Sequence, residues 1–252
     1  MPTLEKLGEM AAEGCLVKPL FYQFIMDTSR EVSLNLMVDR PLPRRPDGWF
    51  HASQHPMATT KELYQWIAGR QLPEEMGYVS LMSVMFGSLA HAVFEAFLDW
   101  TGVAVPLPAT GACPACGRPR RPLRARPSNK YCTEHGAIDE RTRSRCHLDS
   151  IVDFGDGMTG FDFKTIWPLG LRGVKDMDEA SFREKWPHYW AQMQECMRIT
   201  GLRRYIVFFL TMGNPWDTRE YHFSFDPAFA AATEKKYLDV ISCWERGAEI
   251  IA

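Results

Sequence analysis

Apolar residues first recur at helical spacing. Leu4, Leu7, Met10 and Ala11 share one face, and Leu20, Phe21, Phe24 and Ile25 repeat the pattern after Pro19. This predicts a mostly helical segment over residues 3–37. The Pro-rich run 40–48 ends it. Ser53 is a candidate cap for a short helix. Thr59 or Thr60 is a candidate cap for a helix over 61–68, with Gly69 as its stop. Residues 79–100 then present a broad apolar face made of Phe86, Ala90, Val93, Phe94, Phe97 and Leu98, and Gly87 lets another backbone approach.

The period changes further on. Residues 145–154 alternate and are rich in branched apolar side chains, which predicts a strand. Gly155-Asp156-Gly157 is a turn signal, and 158–166 reads as the return strand. A helix over 179–200 follows, bent at Pro187 and closed by Gly201, with Tyr189, Met193, Cys196 and Met197 toward a core. Residues 203–212 read as a buried strand, 213–215 as a turn, 219–225 as another strand and 227–249 as a closing amphipathic helix. The chain has no internal repeat or low-complexity tract.

The hairpin 145–165 carries the first candidate chemistry. Side chains two apart on a strand share a face. Asp162 and Lys164 therefore point one way, Phe161 and Phe163 point the other way into a core, and Asp149 on the partner strand can join Asp162. Two readings stand at this point: ion pairs on a solvent-facing strand, or paired carboxylates for a divalent cation with an amine near a water or a phosphate.

Composition narrows the class. Apolar residues make up 46% and charged residues 24% of 252 positions, which is ordinary for a globular protein. No apolar run approaches the roughly 18 residues that a membrane-spanning helix needs, so no membrane partner is expected. The first residues lack the basic-then-apolar pattern of a secretory signal, which gives a cytoplasmic expectation. In that compartment seven cysteines favour free thiols or metal ligands over disulfides. The net charge of −2 hides an asymmetry: residues 111–145 hold nine Lys/Arg against three Asp/Glu, whereas the rest holds 20 against 28. A basic segment on an acidic body points to a polyanion.

That segment has metal-ligand spacing. Cys113-Pro-Ala-Cys116-Gly and Cys132-Thr-Glu-His135-Gly form a C-x2-C, fifteen-residue spacer, C-x2-H arrangement. Three sulfurs and one nitrogen suit a closed, structural, tetrahedral zinc site. The intervening loop has too few apolar residues to fold without the metal. It carries Arg118, Arg120, Arg121, Arg124, Arg126 and Lys130 with no acid, which favours contact with a nucleic-acid backbone. Other candidates are weaker one by one. His91 lies in the apolar helix with Glu95 one turn on. It reads either as a core histidine or as a metal ligand aimed at the hairpin, with Glu95 nearby. Gln192 reads as a helix-surface residue, the histidines at 51 and 55 as structural, and Cys15 as a small semi-buried thiol.

Taken in order, these residues resemble a known pattern. Gly87-Ser-Leu-Ala-His91 is similar to G-x-x-x-H, and His147-Leu-Asp149 to a strand aspartate. Gly160-Phe-Asp162-Phe-Lys164-Thr165 is similar to D-x-K-T. Gln192-Met-Gln-Glu-Cys196 is similar to Q-x-x-x-Y, with cysteine where tyrosine is usual. Together with FHASQ near residue 50, the set resembles the PD-(D/E)XK nuclease superfamily. Within it the set resembles the RecB-like exonucleases, which include the fourth CRISPR-associated protein and its phage relatives. The likeness spans roughly residues 50–210 outside the insert.

The resemblance implies an α/β restriction-endonuclease-like core, with a central mixed β-sheet flanked by helices. The expected layout is an N-terminal helical region over 1–48, then a nuclease domain over 49–252 interrupted by the zinc-binding basic insert 111–144. It implies Mg²⁺ or Mn²⁺ held by His91, Asp149, Asp162 and the Phe163 carbonyl, with Lys164 at the attacking water or the phosphate and Gln192 and Glu95 assisting. The implied activity is a metal-dependent DNA exonuclease on single-stranded or end-containing DNA in replication, recombination or repair, among proteins of those processes. A structure-specific endonuclease on the same site and a non-catalytic zinc-containing nucleic-acid-binding protein stay open as alternatives. Many relatives carry an iron–sulfur cluster on one N-terminal and three C-terminal cysteines. Here only Cys243 lies in the C-terminal part, so no such cluster is expected.

Overall fold

The computed structural model describes residues 4–26, 46–70, 78–108, 110–120, 132, 134–172, 174–212 and 214–247. Among them the strands form two sheets. β4 (Ser150–Asp153), β5 (Met158–Ile166), β6 (Arg204–Thr211) and β7 (Asn214–Ser224) lie side by side in that order. β5 and β6 are parallel, and the outer pairs are antiparallel. β1 (Phe50–His51), β3 (Ser144–Leu148) and β2 (His135–Asp139) make a second, smaller sheet with β3 in the middle. The parallel step from β5 to β6 needs a crossover, and α5 (Glu179–Lys185) with α6 (Pro187–Thr200) supplies it.

The β5 boundaries match the sequence pattern, because the glycines of Gly155-Asp156-Gly157 take φ of 97° and 107° that other residues resist. The chain between 145 and 154 does not form one strand. It breaks at Asp149, where β3 leaves for the small sheet and β4 stays in the large one. β7 begins at Asn214, earlier than the 219–225 pattern suggested, with a register irregularity at Leu210/Thr211.

Helices cover the large sheet on both faces. On one side, α2 (Val17–Met26) and α4 (Tyr78–Thr101) bury Phe21, Phe94 and Phe97 against Phe161, Phe163 and Phe208. Ala90, Val93 and Leu98 join this face as expected, whereas the Phe86 side chain lies outside the described residues. On the other side, Phe182 of α5 and Met193, Cys196 and Met197 of α6 pack against Tyr205, Val207 and Phe209. α3 (Thr60–Ile67) starts with a capping box, in which Thr59 and Glu62 satisfy each other's backbone N–H. It packs through Leu63 and Trp66 with Tyr237 and Val240 of α7 (Pro227–Glu245). Ser53 lies in a turn and not at the start of a helix.

The N-terminal segment forms α1 (Leu4–Ala12) and α2, and residues 27–37 of the predicted helical stretch lie outside the described residues. α2 is tied to the sheet by Glu220 of β7. Its buried carboxylate accepts the N–H groups of Leu16 (2.7 Å), Val17 (3.0 Å) and Lys18 (2.7 Å), donors that the first turn of a helix leaves unpaired.

The small sheet is locked to α6 by Arg198. Its guanidinium donates to Glu195 (2.9 Å), Asp139 (2.6 Å), Ser144 (2.6 Å) and Thr142 (3.0 Å). Burial alone would raise the Glu195 carboxyl strongly, and Arg198 offsets part of that. Arg198→Ala leaves Glu195 buried without its partner, and should cost about 3–5 kcal/mol of unfolding free energy. Denaturant titration would check this, and a loss below about 1 kcal/mol would contradict the lock.

Candidate active site and thiol cluster

The break at Asp149 builds the site. A strand residue directs its N–H and C=O to the same edge. Where β3 departs, that edge of Phe163 on β5 loses its ladder partner. The Asp149 carboxylate fills the gap and accepts the Phe163 N–H at 2.7 Å. By the same geometry the Phe163 carbonyl is directed at the Asp149 edge. His91 comes from α4 on the opposite face. Its ring packs edge-on against Phe163 at 5.3 Å, and Nδ1 lies 3.8 Å from Asp149 Oδ2. The close approach of α4 and β5 is visible at Gly87, where a Cβ would meet Thr165 Oγ1 at 3.4 Å.

Asp162 is 1% exposed and surrounded by donors. Lys164 Nζ reaches Oδ2 at 2.6 Å and Gln192 Nε2 reaches the same oxygen at 3.2 Å. The Tyr205 hydroxyl donates to Oδ1 at 3.1 Å, and the Asp149 N–H points there at 3.4 Å. Burial pushes the Asp162 carboxyl above the usual carboxylate range; Lys164 pulls it down and Asp149 pushes it further up. Burial works against the Lys164 ammonium, but Asp162 and Asp149 outweigh it and hold Lys164 above its ordinary value. The Tyr189 ring lies beneath Lys164 at 5.8 Å.

Tyr205 was not legible as a site residue, since in sequence it is one more aromatic in a buried strand. Its hydroxyl reaches Asp162, whereas Cys196 of α6 is fully buried and held by Cys146. Gly160 makes room for it, because a Cβ there would sit 2.6 Å from the Tyr205 ring. Glu95 lies one turn beyond His91 and is exposed.

The insert closes on a second cluster. The Sγ atoms of Cys113, Cys116 and Cys132 and a ring nitrogen of His147 lie within 4.8 Å of one another, a set that could hold a metal ion. The fourth member differs from the one the spacing suggested. His135 is turned away, with Nε2 3.1 Å from the Val105 carbonyl, and His147 Nε2 lies 3.5 Å from Cys113 Sγ. Strand pairing is the reason. His147 sits opposite Gly136 in the β2–β3 ladder, and a side chain at Gly136 would overlap the Cys113 sulfur. Arg118 donates to Cys116 Sγ at 3.4 Å. Burial raises the Cys116 thiol, but Arg118 outweighs it and the thiol lies below its usual range. Burial pushes Cys132 up to about 12.

The predicted nucleic-acid contacts divide. Arg118 is exposed. Arg120 is buried and donates to the Glu134 carbonyl at 2.6 Å, so it serves the fold of the insert and not a surface. Arg121, Arg124, Arg126 and Lys130 lie outside the described residues. The histidines at 51 and 55 hold each other structurally, with the His51 N–H donating to His55 Nδ1 at 2.7 Å.

Oxygen donors from two aspartates, with one imidazole beside them, fit a hard divalent cation such as Mg²⁺ or Mn²⁺. The sulfur-rich cluster fits a softer ion such as zinc.

No family model matches the chain, and no curated protein matches it. Solved structures that match the chain include an alkaline exonuclease, LHK-Exo, from Laribacter hongkongensis. It is 15% identical over 79% of this chain and 89% of that one, with a TM-score of 0.47. LHK-Exo in complex with dAMP matches at 15% identity over the same shares, with a TM-score of 0.45. SSO0001 matches at 12% identity over 92% of this chain and 87% of that one, with a TM-score of 0.41. No helix among the described residues is long and apolar enough to cross a membrane.

Proposed function

We propose that the chain is a metal-dependent DNA exonuclease of the RecB-like branch of the PD-(D/E)XK nucleases, acting on DNA ends in replication, recombination or repair. The observation that carries this is the meeting of Asp149, Asp162, Lys164 and Gln192 in one hydrogen-bonded group, with His91 beside Asp149, from four separate elements. A binding protein has no need to bury Asp162 beside an aspartate and a lysine.

Asp149, Asp162, His91 and the Phe163 carbonyl would hold Mg²⁺ or Mn²⁺, which when bound polarises the phosphate and lowers the pKa of an attacking water. The chain's own groups have separable tasks. Gln192 and Tyr205 fix the Asp162 carboxylate from two sides. Asp149 fixes the backbone of Phe163. Lys164, beside Asp162 and Asp149, is placed to orient or deprotonate the attacking water or to stabilise the negative charge growing on the phosphate. The thiol cluster holds a structural zinc. Arg118, with Arg121, Arg124, Arg126 and Lys130, grips the DNA backbone.

Purified protein given linear and circular single- and double-stranded DNA with Mn²⁺ or Mg²⁺ tests this. Linear DNA should be shortened, circles spared, and EDTA should stop the reaction. Cleavage of circular single strands would replace the reading by an endonuclease on the same site. DNA binding without any cleavage would leave a zinc-containing binding protein.

A further inference from the structure

The turn after β1 walls a cavity that the cutting chemistry does not use. β1 pairs with β3, and the Ala52 N–H donates to the Arg145 carbonyl at 3.0 Å, so residues 52–58 hang from the small sheet. Lys236 of α7 fixes the far end of the turn, with Nζ donating to the Pro56 and Ala58 carbonyls at 2.8 and 2.9 Å. Between this turn, α3 and the start of α6 lies a surface cavity of about 320 Å³, lined in part by Gln54, His55, Met57, Glu62, Trp66 and His188. Small-ligand sites run from roughly 300 to 1,000 Å³.

The lining selects a class of ligand. The buried rings of Trp66 and His55 lie 4.7 Å apart. Trp66 Nε1 donates to the Trp49 carbonyl at 2.9 Å, and His55 Nδ1 accepts the His51 N–H at 2.7 Å, so both rings are set before any ligand arrives. Met57, 46% exposed, adds an apolar rim. Gln54 brings an amide donor and acceptor, and His188 a second imidazole, both exposed. Among the described residues the lining has no Lys or Arg, and Glu62, whose carboxylate accepts the Thr59 N–H at 2.8 Å, gives it negative character. Such a surface repels phosphate. It suits a flat, uncharged ring that lays a face on aromatic groups and offers hydrogen-bonding edges, which describes a nucleobase.

The cavity also lies beside the cation site. His188 and Gln192 are four residues apart on α6, so they share a face with roughly 5–6 Å between their Cβ atoms. Gln192 reaches Asp162, and Tyr189, next to His188, lies beneath Lys164. A strand whose phosphate sits at Asp162 and Lys164 brings a neighbouring base within reach of the cavity.

We propose that this cavity takes one unstacked base of the strand being cut, next to the scissile phosphate. This rests on the nuclease reading and adds to it a subsite for a base, beside the hold of the insert on the backbone. A duplex end must open to fill the cavity, so unpaired ends are the substrates it favours.

The test uses the full-length chain and labelled single-stranded oligonucleotides in which one residue is abasic, moved one position at a time from either end. Binding is read by anisotropy in EDTA, and cleavage with Mn²⁺. In wild type, one position should weaken binding by at least about 5-fold, the lower end for losing one stacked base. His188→Ala and Gln54→Ala should each lose affinity for the intact strand and lose little more at that abasic position, because base and side chain are two halves of one contact. Equal penalties for the variants on intact and abasic strands, or no position at which the missing base matters, overturn the base subsite, while cleavage of the strand leaves the nuclease reading standing. Free deoxynucleosides that compete for the cavity without any abasic effect would make it a site for released product, and also overturn the subsite. A wild type that neither binds nor cuts these strands overturns the nuclease reading and this inference with it.

Discussion

Asp162→Asn and Lys164→Ala should each reduce DNA cleavage by about 10³-fold or more while leaving the fold intact, as judged by circular dichroism and thermal unfolding. The two residues are not exchangeable surface charges. Asp162 is buried and takes hydrogen bonds on both oxygens, so its orientation is set before any ligand arrives. Asn keeps the volume but replaces one acceptor oxygen by a donor, which faces the donors already present and cannot bind a cation. Lys164→Ala removes the ammonium paired with Asp162, while the β5 backbone stays in register with β6. Near-wild-type cleavage by either purified variant would remove the site from contention. Loss of activity with loss of fold is separated from this by Lys164→Met, which keeps the apolar stem and should be folded and inactive.

The second large effect concerns zinc. The purified chain should carry one zinc, and His147→Ala should lose it whereas His135→Ala should keep it. Structural zinc sites of this kind bind with apparent free energies of about 10–16 kcal/mol, so a missing ligand is felt by the whole insert. Among the described residues the insert has little else to hold it: three cysteines and an alanine, with Ile138 alongside. Elemental analysis of the two variants decides it. Equal zinc in both would mean that the ring at 147 is not a ligand. Zinc lost only from His135→Ala would restore the assignment that spacing alone suggests.

That assignment shows where the sequence was a good guide and where it was not. β5 was legible to the residue because a glycine-rich turn starts it and Phe161 and Phe163 alternate with Asp162 and Lys164. The helices were legible from their apolar faces and from Thr59, Pro187 and Gly201. The break at Asp149 was not, since the alternation of apolar residues runs through it and only the departure of β3 to another sheet reveals it. β2 was missed because His135-Gly-Ala-Ile-Asp139 has a single branched apolar residue. His135 was expected beside the thiols, where His147 lies, for a related reason. Spacing counts residues along the chain, whereas β2 and β3 bring together residues by pairing, and Gly136 opposite His147 leaves the space that the sulfur occupies. Tyr205 carries no motif, and its place beside Asp162 follows from tertiary contacts alone.

His147 and Asp149 are two residues apart on a chain that pairs with β2 on one side of Asp149 and with β5 on the other. Side chains on a strand alternate with a period of two, so a slip of β3 by one residue would turn both away at once. The thiol cluster is therefore a gauge of alignment: only the pairing that lets His147 meet the sulfurs also delivers Asp149 to the Phe163 N–H. Single-residue insertions or deletions anywhere from 136 to 148 should be tolerated far less well than substitutions there, because each would misalign two centres for one change in length.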